Sequence, residues 1–172
     1  MNRSILFALI LCILAPALLL AADDVTGLWM GIDDETGDPN TISMLYMYHG
    51  ELYGRILVTY DDENPGRVKD TYLNPVARAE LLVGNPPYAG LDFIWGLTDQ
   101  GRRWGRGKIM DPKKGKIYAS EIWLEGGDLI LRGKIGPIGR NQTWKRVADA
   151  DLPPGFVVPD PSEIVPRIPQ VK

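Results

Sequence analysis

Cysteine is almost absent from this chain: Cys12 is the only one, and it lies in the first apolar run. Once that run is set aside, no disulfide can form and no cysteine nucleophile exists. Histidine is nearly as scarce, with His49 alone in the sequence. A zinc site built on cysteine and histidine needs several such ligands and is excluded. Serines beyond the leader are Ser43, Ser120 and Ser162, and no Gly-x-Ser-x-Gly elbow occurs. A triad would have to use His49, which falls at a predicted hairpin tip with no local group to orient it. No catalytic residue is therefore assigned. An excess of positive charge is also missing: 19 basic residues stand against 22 acidic, a net charge of −3. That balance provides no electrostatic reason to expect nucleic acid or an anionic membrane as partner.

Long apolar runs are limited to one. Arg3 precedes an apolar stretch over 5–20, and Ala21-Ala22 then meets Asp23-Asp24. A basic start, an apolar centre and small residues before a polar boundary predict a secretory signal peptide over 1–22. A retained membrane anchor is the competing reading, since the run approaches the ~20 residues a bilayer needs. Pro16 and the Ala-Ala boundary favour cleavage, after Ala21 or Ala22. Cys12 follows Leu11 rather than a small residue, which argues against lipidation. The expected location is periplasmic or secreted, with no integral span after cleavage. Without Arg3, 18 basic residues remain against the 22 acidic ones.

What is present is a series of short strand patterns. Runs at 27–32, 41–48, 51–60, 91–97, 102–110, 116–124, 129–135 and 140–147 alternate in polarity and are cut by glycine, proline and acidic turns. Ile42, Met44, Tyr46 and Tyr48 share one face, and His49-Gly50 joins their run to the next as a hairpin. Phe93, Trp95 and Leu97 are expected on one face. Gly105 and Gly107 alternate in the run 102–110, which suits bending or close backbone approach. The fold class is all-β, an antiparallel up-and-down barrel of about eight strands, the size at which side chains or one small ligand fill the interior. A β-sandwich is the alternative that periodicity does not separate.

Two segments break the rhythm. Residues 61–89 open on Asp-Asp-Glu-Asn-Pro-Gly and are long for a compact domain, as a lid, a plug or a disordered excursion is. Within them Asn74 as N-cap, Pro75 at the first helical position and Gly84 after the last predict one short helix. Residues 150–172 carry Pro153, Pro154, Pro159, Pro161, Pro166 and Pro169. They read as an extended surface tail; the apolar residues Phe156, Val157, Val158, Ile164 and Val165 also suit a strap across the barrel mouth or a partner-binding peptide. The domain itself is expected over 23–149.

The acidic turns Asp33-Asp34-Glu35 and Asp61-Asp62-Glu63 lack the alternate carboxylates and late glutamate of a calcium loop, so they read as turn chemistry. No metal or cofactor is expected. Distant carboxylates that converge, as in a glycosidase pair, are compatible with the sequence but have no support in it. Trp29, Trp95, Trp104, Trp123 and Trp144 are many for a domain this size. Large aromatics fill cores and close barrel ends, and they also wall pockets for apolar or sugar-like ligands.

Gly27-x-Trp29 on the first strand with an arginine on the last resembles the lipocalin arrangement, in which the tryptophan packs under a late arginine. Arg146 or Arg140 fits that role here. A fuller set runs Gly27-Leu28-Trp29, Asp33 to Gly37, Gly50-Glu51-Leu52-Tyr53-Gly54-Arg55-Ile56, Gly90-Leu91, Asp111-Pro112, Gly115 to Tyr118, Leu131-Arg132-Gly133 and Gly139 to Arg146. In that order it resembles the bacterial exported family called domain of unknown function 2147, over 25–147. The resemblance implies a small lipocalin-like barrel of the cell envelope without established activity. Many members carry a cysteine pair before the Gly-Leu strand; this chain has none between Asp61 and Ala89, so no redox or metal role carries over.

The expected function is binding of a small, partly apolar ligand, with Trp95, Trp104, Tyr118 and Leu131 as pocket residues near a mouth covered by the 61–89 excursion. The alternative is a non-catalytic structural or protein-interaction module of the envelope, with a barrel filled by its own side chains.

Overall fold

A computed structural model describes residues 24–172, and the expected signal peptide lies outside them. The strands are β1 (Gly27–Ile32), β2 (Pro39–Tyr48), β3 (Glu51–Tyr60), β4 (Val68–Thr71), β5 (Asp92–Asp99), β6 (Trp104–Asp111), β7 (Lys116–Glu125), β8 (Asp128–Ile135) and β9 (Ile138–Arg146). The order β2-β1-β9-β8-β7-β6-β5-β3 returns to β2 through a β2–β3 pairing, so eight strands close into an antiparallel barrel. All eight expected runs are strands of that ring. The ninth, β4, pairs only with the end of β3 and lies beside the barrel.

The connections follow from local chemistry. His49 and Gly50 both take positive φ, 50° and 84°, between the paired residues Tyr48 and Glu51. That is the two-residue turn whose twist matches antiparallel strands, and the His49 ring stacks on Tyr48. Between β1 and β2, the Asp33 carboxylate accepts the N–H groups of Glu35 and Thr36. Asp61 likewise accepts the N–H of Glu63 and bonds to Asn64 and Arg67. Both acidic turns thus direct their first carboxylate to closing the turn.

Inside the ring, Trp29, Leu45, Leu52, Ile94, Leu97, Ile122 and Leu129 pack one end shut, each 1% exposed or less. Close approach depends on Gly107, where a Cβ would lie 2.6 Å from both the Leu97 side chain and the Trp95 carbonyl oxygen. The opposite end, formed by the start of β9 and the ends of β3 and β6, stays open. A second apolar cluster lies outside the barrel. Ile42, Met44 and Tyr46 share a face as expected, but it points outward while Ser43 and Leu45 occupy the other face; both faces are buried.

The carboxyl-terminal segment covers that outer face. Ile164 is buried in the outer cluster, with Phe156, Leu152 and Val147 packed against it. Tyr72 donates to the Val157 carbonyl, and Arg55 donates to the Val165 carbonyl. The Arg167 N–H reaches the Asp92 carboxylate at 2.7 Å. Beyond it, Val83 N–H bonds the Gln170 carbonyl, Lys172 N–H bonds the Leu81 carbonyl, and Leu82 bridges Val171. The segment therefore runs along the barrel wall, outside the interior, and ends against the 61–89 excursion.

The helix predicted from Asn74 to Gly84 does not form. The N–H groups of Val76 and Ala77 go to the buried Asp70 carboxylate, and Asn74 bridges Thr71. Ala79 N–H then bonds the Pro86 carbonyl, and Tyr88 N–H bonds the Ala77 carbonyl. Backbone groups of Val76, Ala77 and Ala79 within the expected helix are thus bonded to residues outside the segment. A helix of two turns repays its costly first turn poorly, and only Ala79 and Leu82 of the segment are buried.

Candidate ligand cavity

The open end of the barrel contains a cavity of about 450 Å³, within the range of small-molecule sites. Its inner wall takes one or two side chains from each facing strand: Ile56 of β3, Phe93 of β5, Ile109 of β6, Tyr118 of β7, Leu131 of β8, and Gln142 and Trp144 of β9. Register explains the convergence. Ile109 is paired with Tyr118, and Leu131 with Gln142, so these residues face inward side by side. Phe93 and Trp144 stack across the interior with ring centres 6.0 Å apart. Gly133 leaves the wall open, since a Cβ there would meet nothing closer than 3.7 Å.

The rim is polar. Asn40 and Thr41 start β2, Thr59 and Tyr60 end β3, and the 111–114 turn supplies Asp111, Lys113 and Lys114. The 61–89 excursion contributes Asp62, Lys69, Ala77 and Tyr88, so it forms part of the mouth. Lys113 pairs with Asp62 at 2.8 Å, Lys114 with Asp111 at 3.3 Å and Arg140 with Asp34 at 2.9 Å. Burial, with a smaller contribution from Asp151, raises the Tyr60 phenol above its ordinary range. Tyr60 is therefore a neutral hydroxyl at pH 7, able to donate as well as accept.

Of the four expected pocket residues, Tyr118 and Leu131 line this cavity; Trp95 and Trp104 do not. Trp95 packs outside the barrel against the outer clusters with Tyr88. The register between β3 and β5 shifts on both sides of the Gly54–Ile94 pair, and Gly96 takes φ 69°. Each bulge shifts alternation by one residue, so Phe93 and Leu97 face the interior while Trp95 leaves it. Trp104 packs against the closed end, paired with Ile122. The sequence did not mark Ile56, Phe93, Ile109, Gln142 and Trp144 as wall residues. Alternation on the last strand, Gln142 then Trp144, was the signal available for two of the wall positions.

At the closed end, the Arg146 guanidinium lies 4.0 Å from the Trp29 ring centre. Trp29 Nε1 donates to the Val25 carbonyl at 2.8 Å. Arg146 therefore fills the role for which Arg140 also qualified; Arg140 is at the mouth. Among the described residues no three or more His, Cys, Asp or Glu side chains group to hold a metal ion. No helix among them is long and apolar enough to cross a membrane.

Residues 27–146 match the family described as uncharacterized protein conserved in bacteria, DUF2147. The chain belongs to that family. A search of curated proteins gives no match for this DUF2147 chain. Among solved structures it is similar to Protein HP1028 from the human pathogen Helicobacter pylori, described as belonging to the lipocalin family. The two are 20% identical, with a TM-score of 0.58, over 74% of this chain and 86% of that one. That likeness is one of fold: the DUF2147 chain is a lipocalin-like barrel, and its family segment ends with β9, before the segment that covers the outer wall.

Proposed function

We propose that this chain is an exported, non-catalytic binding protein of the cell envelope that holds a small, partly apolar ligand inside its barrel. The observation that carries the reading is the cavity of about 450 Å³, walled by Ile56, Phe93, Ile109, Leu131 and Trp144 with Tyr118 and Gln142 as polar points. Apolar walls with a few convergent polar groups are the ordinary make-up of small-molecule sites. The apolar leader with its Ala21-Ala22 boundary supports export.

Titration of the mature protein with the neutral probe N-phenyl-1-naphthylamine tests the cavity. Enhanced probe fluorescence is expected, together with quenching of Trp144. The Gly133→Leu variant places a side chain in the open part of the wall, and it should lose binding while keeping the wild-type circular dichroism spectrum. No binding by the wild-type protein, or equal binding by Gly133→Leu, sinks the reading.

A structural or interaction module is the second reading. Its supporting observation is the β8–β9 hairpin tip, where Ile135 and Ile138 are 66% and 78% exposed beside each other. Substituting both by serine should abolish capture of an envelope partner; unchanged capture removes that reading.

A further inference from the structure

The mouth differs in charge from the rest of the chain. Its lining carries Lys69, Lys113, Lys114 and Arg140 against only Asp62 and Asp111, in a protein of net charge −3. Lys113, Lys114 and Arg140 each have a carboxylate partner. Lys69 is exposed and has no ionic partner among the described residues. β4 holds it in place: Asp70, the next residue, is 2% exposed and bound to Val76 N–H, Ala77 N–H and Thr59 Oγ1. The adjacent backbone is thus pinned while the ammonium is left for another anion.

The two ends of the cavity ask for different chemistry. The inner end offers stacked Phe93 and Trp144 with Leu131 and Ile56, which favour an apolar body. The outer end offers Lys69 and solvent-exposed pairs whose cations can be shared, because exposed ion pairs are held weakly. Resting on the cavity reading above, we propose that the ligand is an amphipathic anion, its apolar portion against Trp144 and its charged head at the mouth beside Lys69. A cationic head would meet Lys69 and the paired lysines; a neutral one would leave Lys69 unmatched.

Competition against N-phenyl-1-naphthylamine with ligands sharing one alkyl tail tests this on the mature protein. Dodecanoate and dodecyl phosphate supply the two common anionic heads, dodecanol a neutral head and dodecylammonium a cationic one. At low salt the better anion should bind about fivefold more tightly than dodecanol, and dodecylammonium more weakly. The preferred anion distinguishes a carboxylate from a phosphate source. Lys69→Glu, an exposed substitution, should remove most of that preference and leave dodecanol affinity within about twofold. Molar salt should compress the preference in the same way. Equal affinity for all four heads, or a preference unmoved by Lys69→Glu, overturns the headgroup proposal while the cavity reading stands. Failure of every ligand and of the probe overturns both.

Discussion

Arg146 covers Trp29 at 4.0 Å from the ring centre and donates a 2.8 Å hydrogen bond to the Thr26 carbonyl. One side chain thus ties the last strand to the entry of the first and seals the closed end of the barrel. Arg146→Ala should lower stability by about 1–2 kcal/mol through the lost stacking and hydrogen bond. Chemical denaturation followed by circular dichroism measures it. Arg146→Lys should recover only part, because an ammonium cannot lie flat on an indole and reach the carbonyl together. A full recovery by lysine would show that charge alone matters there.

Asp92 is 1% exposed and binds Arg55 twice, at 2.8 and 2.6 Å, with Tyr46 Oη at 2.8 Å and Arg167 N–H at 2.7 Å. Removing the charge while keeping the shape leaves the half-buried Arg55 without its partner. Asp92→Asn is expected to cost about 3 kcal/mol. It should also loosen the carboxyl-terminal segment, since Arg167 is bound by the same carboxylate. Limited trypsin digestion should then cut after Arg167 faster than in wild type. Equal cleavage rates would show that Ile164 packing holds the segment without help from Asp92.

Burial pushes the Tyr53 phenol up to about 12, reinforced by its hydrogen bond to Glu51. A tyrosine in the unfolded chain titrates near ~10. The native state therefore binds more protons than the unfolded state between those values, and stability falls as pH rises through that window. It is fully present below the lower value. Absorbance titration at an alkaline tyrosinate wavelength should show a late step that Tyr53→Phe removes. Tyr53→Phe should also flatten the loss of stability in that pH range; an unchanged slope would assign the loss to other groups.

Alternation and turn residues made the eight ring strands legible. The His49-Gly50 and Gly126-Gly127 positions take the positive φ that two-residue hairpins need, so composition and geometry agree there. Tyr118 and Leu131 were legible as wall residues for the same reason, because β7 and β8 pair without a register shift. Trp95 was not. The shifts around Ile94 depend on how β3 meets β5, a relation between residues about forty apart in the chain. The Asn74–Gly84 signals were sound local cues, and Asp70 with residues 86–88 outcompeted them.

From the sequence by itself come the strand periodicity, the turn chemistry, the absence of thiols from the expected mature chain, and a family resemblance strong enough to name. These are properties of neighbours in the chain, where side-chain period and backbone φ preference act directly. Only the tertiary structure decided which face of β2 points inward, which arginine covers Trp29, where the carboxyl-terminal segment lies and which tryptophan meets the cavity. The physical reason is that a strand's two faces are equivalent to local forces. Closure of the ring, bulges that shift alternation by one residue, and burial against distant segments break that equivalence.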